Sequence, residues 1–90
     1  MSDQYKPDPS VLTQRMDDGI ILLNLTTNRF YSLNPTASRF WELLCAGKRV
    51  PAIEQQILSE FDIEAAELRN EIDALLADLS EKALVCHADN

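Results

Sequence analysis

Asn34-Pro35 divides this chain into two stretches that obey different hydrophobic periods. Before it, apolar residues come in short runs of β-formers broken by turn signals. After it they recur at i, i+3, i+4 and i+7. Asparagine is among the best helix N-caps and proline is favoured at the first helical position, so the dipeptide reads as the switch from sheet to helix. Upstream, Val11–Met16, Ile20–Leu25 and Arg29–Leu33 read as three strands, separated by the hairpin signal Asp17-Asp18-Gly19 and the tight turn Thr26-Thr27-Asn28. Ile20 to Leu25 is apolar on both faces, the mark of a central or covered strand.

Downstream, Ala37, Phe40, Trp41 and Leu44 form one helical stripe ended by Gly47. A second helix starts at or beside Pro51 and carries Ile53, Ile57, Leu58 and Phe61. A third starts near Glu64 and carries the longest stripe, Leu68, Ile72, Leu75, Leu76 and Leu79. Trp41 and Phe40 are assigned to the core. The expected fold class is α+β, a winged helix-turn-helix-like arrangement of a three-stranded antiparallel sheet followed by three helices. Such a sheet cannot stand alone, so the helices must cover one face. Residues 1–10, with Pro7 and Pro9, read as a flexible N-terminal arm, 11–85 as the one domain that 90 residues allow, and 86–90 as a C-terminal tail.

Charge removes several function classes. The chain holds 15 acidic and 8 basic side chains, a net −7 with its histidine neutral, which repels phosphate backbones and anionic membrane surfaces. A groove-reading third helix would need basic residues, yet Glu64 to Lys82 holds six acids against Arg69 and Lys82. No apolar run is longer than four residues, as in Ile20 to Leu23, far short of a membrane span, and the N-terminus is no secretory signal. Cys45 and Cys86, 41 residues apart, make no disulfide framework and suit a reducing cytoplasm. No catalytic set is visible: His87 stands beside Cys86 in the tail with nothing to orient it, Cys45 reads as a small buried apolar residue, and the acid pairs occupy turn and helix-start positions. No metal site, cofactor or phosphate-cradling loop is expected.

What remains is the sheet edge. Arg29, Phe30, Tyr31, Ser32 and Leu33 form an end strand without proline or lysine, residues that commonly blunt natural edges. Such an edge can accept a foreign strand through its backbone, with side-chain pockets supplying selectivity. The third helix offers the second wall of a cleft. The plainer possibility is that these residues are all core and sheet cover. A DNA-binding winged-helix regulator and a self-associating module using the same edge are further alternatives.

The run Leu22-Leu23-Asn24-Leu25-Thr26-Thr27-Asn28-Arg29-Phe30-Tyr31-Ser32-Leu33-Asn34-Pro35, then Ala37, Phe40-Trp41 and Leu43-Leu44, resembles the PqqD-like family, the recognition elements for ribosomally made, post-translationally modified peptides. Ile53 to Phe61 is similar to that family's second helix. Leu68, Glu71, Ile72, Leu75, Leu76 and Leu79, ending in Ala83-Leu84-Val85, are similar to its third helix and close. The resemblance covers about residues 11–85. Ala83 stands where glycine is usual and Glu71 where aspartate is common. The Leu-Asn-Leu-Thr-Thr-Asn wording looks closer to stand-alone proteins of lasso-peptide clusters than to the cofactor-pathway PqqD itself. The resemblance implies a non-catalytic protein that binds a precursor's leader peptide by strand addition and presents it to separate enzymes, a leader protease and an ATP-dependent cyclase. The alternative is a PqqD-type peptide chaperone serving a radical enzyme. It further implies a peptide site in which Arg29, Phe30, Tyr31, Ser32 and Leu33 offer the edge, Leu68, Ile72 and Leu75 line the cleft, and Glu71 sits at its rim.

Overall fold

The computed structural model describes residues 5–87, in the order β1 (Tyr5–Pro7), β2 (Val11–Met16), β3 (Gly19–Asn24), β4 (Arg29–Leu33), α1 (Pro35–Cys45), α2 (Val50–Glu60), α3 (Ala65–Glu81) and β5 (Val85–His87). β2, β3 and β4 form the expected antiparallel sheet with β3 in the centre. Its register runs from Arg15↔Ile20↔Leu33 through Thr13↔Leu22↔Tyr31 to Val11↔Asn24↔Arg29. The three helices pack on one face of that sheet, giving an α+β fold compatible with a winged helix-turn-helix description. Among the described residues no helix is long and apolar enough to cross a membrane.

The periodic positions form the core. Ile20, Leu22 and Leu33 from the sheet, Phe40, Trp41 and Leu44 from α1, Ile53 and Ile57 from α2, and Leu68, Ile72, Leu75 and Leu79 from α3 are all buried. The Trp41 indole donates to Thr13 Oγ1 at 3.1 Å, pinning α1 to the sheet. Asn34 caps α1, its Oδ1 accepting from the Ala37 N–H at 2.8 Å. Ion pairs then tie successive layers: Arg15 of β2 to Glu42 of α1, Arg39 of α1 to Glu60 of α2, and Glu54 of α2 to Arg69 of α3.

The Arg39–Glu60 pair is bidentate at 2.7 and 2.8 Å, and with a hydrogen bond from Gln56 it holds the Glu60 carboxyl at a pKa of about 2. Glu42, held by Arg15 and then Arg39, is likewise lowered. An acid whose folded pKa lies below its unfolded value stabilises the fold above the unfolded value, about 4.3, and loses that contribution as pH falls through the folded one. Arg39→Met is therefore expected to lower the urea midpoint above pH 5, and the gap from the unaltered protein should close as pH approaches 2. A gap that does not change with pH contradicts this.

Three features depart from the sequence reading. Tyr5–Pro7, read there as part of the arm, and Val85–His87, read there as the last residue of the domain and the start of the tail, pair as a separate two-stranded sheet. Strands of three residues have no readable period, and this pairing is between chain ends. Residues 1–4 and 88–90 lie outside the described part. Second, Cys45 is exposed, because it follows the buried Leu44 onto the solvent side of α1. Third, Asp17 and Asp18 form the two-residue turn with ordinary negative φ, and Gly19 opens β3 at φ +152°.

Ala83 follows α3 at φ +58°, the left-handed conformation that closes helices and suits glycine. The Leu84 N–H bonds the Leu79 carbonyl at 2.8 Å across this turn. Ala83→Gly should relieve the Cβ strain and raise stability by about 0.5–1 kcal/mol, read as a higher urea midpoint at unchanged slope. A lower midpoint contradicts that.

Candidate functional site

β4 is an edge strand, and the direction of its backbone groups follows from its partner. The Leu25 N–H, just past β3, bonds Ser10 O on the β2 side, whereas the Asn24 carbonyl accepts from Asn28 on the β4 side. Backbone groups alternate along a strand. Ile20, Leu22 and Asn24 therefore face β4 and engage Leu33, Tyr31 and Arg29. The N–H and C=O groups of Phe30 and Ser32 point away from the sheet. Among the described residues no strand meets them, since β1 pairs with β5 instead.

Beside this edge lies a cavity of about 320 Å³ between β4, the start of α1 and α3. Its apolar floor includes Leu33, Phe40, Ile57, Leu68, Ile72 and Leu75, and its polar rim includes Asn34, Glu71 and Asp78. Among the described residues no basic side chain lines it. The floor exists because the inward residues of β4 and the α3 stripe leave a gap that α1 only partly fills.

Two side-chain ties join the sheet to α3 and to the turn that follows it. The Tyr31 hydroxyl donates to Asp78 Oδ2 at 3.0 Å, joining β4 directly to α3, and Lys82 Nζ stands 5.3 Å from the Tyr31 ring centre. Burial first, then the hydrogen bond to Asp78, pushes the Tyr31 phenol's pKa up, so it stays a donor at neutral pH. Further along, the buried Asn24 amide donates to Ala83 O at 2.7 Å while its Oδ1 accepts from Thr26 and Thr27 N–H at 2.8 and 3.1 Å. One side chain thus ties the β3–β4 turn to the turn after α3.

Of the nine residues expected at a peptide site, Tyr31, Ser32, Leu33, Leu68, Glu71, Ile72 and Leu75 line the cavity. Arg29 and Phe30 do not; both are exposed, Arg29 at the far end of the strand and Phe30 on the opposite face of the sheet. The sequence reading did not single out Asp78, Asn24 or Asn34 as part of this region, and it placed Phe40 wholly in the core although that ring also floors the cavity. Asp78 was within reach, because it lies seven residues after Glu71 on the same helix face. Asn24 carries no such signal: its partner Ala83 is 59 residues away.

A family model described as coenzyme PQQ synthesis protein D (PqqD) matches residues 19–85. No match was found among curated proteins. A solved structure described as TbiB1 in complex with the TbiA(beta) leader peptide is similar at 30% identity and TM-score 0.84, covering 93% of this chain and 99% of that one. A second, described as lasso peptide synthetase B1 complexed with the leader peptide, is similar in fold at 24% identity and TM-score 0.81, covering 92% and 98%.

Proposed function

The chain belongs to the PqqD family, and from that premise we propose that it binds the leader segment of a ribosomally made precursor peptide of a lasso-peptide pathway and carries it to the maturation enzymes. The observation that carries this reading is the unpaired outer side of β4 running beside an apolar cavity.

The energetics require both parts. Phe30 and Ser32 offer two donors and two acceptors. Four backbone bonds at about 0.5–1.5 kcal/mol each give roughly 2–6 kcal/mol, short of the about 8 kcal/mol of a micromolar complex before any ordering cost. The cavity supplies the remainder by taking apolar leader side chains, each worth about 1.5–3 kcal/mol when fully buried. Leu33, Leu68, Ile72 and Leu75 form the receiving surface. Glu71, exposed at the rim and without an ion pair among the described residues, meets a leader lysine or caps a leader N–H. The protein contributes position rather than chemistry: it holds one stretch of the precursor extended while the remainder reaches a leader protease and an ATP-dependent cyclase.

The test is calorimetric titration with the leader of the precursor encoded in the same gene cluster. One-to-one binding in the micromolar range or tighter is expected. Absence of binding to the unaltered protein overturns the proposal.

A further inference from the structure

Side chains alternate across a strand, so those of Arg29, Tyr31 and Leu33 face the helices and those of Phe30 and Ser32 face the other way. On that other face the register places Leu12, Leu23 and Phe30 in one row across β2, β3 and β4. The next row is Gln14, Ile21 and Ser32. Neither row holds a charge, in a chain where 26% of residues are charged. The exposed large hydrophobics among the described residues are Leu12, Met16, Leu25 and Phe30; Leu12 and Met16 alternate onto this face, and Leu25 lies just past β3. Phe30 is the most exposed at 71%, and it stands at the end of its row, against the vacant edge.

From this row we infer that the leader is read on both faces of the sheet. Its residue opposite Phe30 is aliphatic or aromatic and extends the Leu12–Leu23–Phe30 row to a fourth place, while the residues before and after it enter the cavity. The inference rests on the leader-binding reading and specifies its substrate: an extended segment with apolar side chains at adjacent positions, not only at alternate ones. The geometry follows from the backbone. Phe30's outward N–H and C=O make it the residue that a docked strand pairs with directly, and directly paired residues project to the same face at a Cβ separation of about 5 Å. A docked polar residue would leave the Phe30 ring in water on that side. An apolar one shields it and gains the cross-strand contact.

The experiment pans a random peptide library, displayed in lengths able to span β4, against the full chain and against Phe30→Thr. Threonine keeps strand propensity and removes the ring, and an exposed position should leave the melting temperature unchanged. Peptides selected on the unaltered protein should show apolar preference at two positions of one parity and at the position between them. The best of them should bind Phe30→Thr about fivefold more weakly, the scale of a cross-strand pair. Changing its middle residue to serine should cost the same factor on the unaltered protein and little on Phe30→Thr, a coupling that independent sites would not give. Selected peptides with alternate-only preference, bound equally by both proteins, overturn this inference and leave leader binding standing. No selected peptide at all, together with a failed leader titration, overturns both. Self-association of the unaltered protein that Phe30→Thr abolishes assigns the row to a second copy and overturns the inference.

Discussion

Ser32→Pro is expected to weaken leader binding by about tenfold to a hundredfold while the protein still folds. Ser32 directs its N–H outward, so proline removes a donor that no strand of the sheet uses. The pyrrolidine ring then occupies the space that the incoming backbone needs, and edge strands are where proline is tolerated. The residue before a proline is pushed toward extended geometry, which Tyr31 already has. Tyr31→Pro is the instructive contrast. Its N–H faces Leu22, so the same change there breaks the β3–β4 ladder and should lower the melting temperature as well. Calorimetry with the leader, beside thermal melts of both variants, separates the two effects. If Ser32→Pro binds the leader as tightly as the unaltered protein, strand addition at β4 is wrong, even if the peptide still binds elsewhere.

Gly19→Ala should be the most damaging single-methyl change in the chain, costing about 3 kcal/mol or more of a total of roughly 5–15. At φ +152° an L side chain is already strained. In addition, a Cβ there would overlap the Leu33 carbonyl oxygen and approach within 2.8 Å of Ser38 Oγ, which itself bonds that carbonyl at 3.2 Å. The overlap is with backbone, so relief requires the β4 end to move away from β3. Since Leu33 also floors the cavity, the surviving folded molecules should bind leader less well. A denaturant midpoint within about 0.5 kcal/mol of the unaltered protein, the range of an innocuous surface change, would falsify this account.

How much of this was legible before the structure depended on the range of each signal. The Asn34-Pro35 switch, the Gly47 stop and the three-turn stripe of α3 are local and redundant, and each element appeared within a few residues of its expected bounds. The central position of β3 followed from its two apolar faces. The Asp17-Asp18-Gly19 run gave the hairpin but not its centre, since the glycine serves a close backbone approach rather than a mirror-image turn. Cys45 was misplaced because a short apolar residue at the end of a helix carries no directional information beyond its neighbours. The pairing of β1 with β5, the Asn24–Ala83 tie and the Tyr31–Asp78 bond join residues 47 to 82 positions apart, and no periodicity encodes them. The nine candidate site residues are readable in the sequence only as two segments, one on β4 and one on α3. Which of their backbone groups face outward, and that Phe30 looks away from the cavity, required the register.

The small sheet made by Tyr5–Pro7 and Val85–His87 sets the two ends of the described chain side by side, in a sheet separate from the one that holds β4. A module whose entry and exit points are already neighbours can be grafted into a surface loop of an unrelated enzyme, or reconnected and opened elsewhere, without prising its working groove apart. The architecture therefore leaves the groove beside β4 unchanged whether the module stands alone or is inserted into another chain.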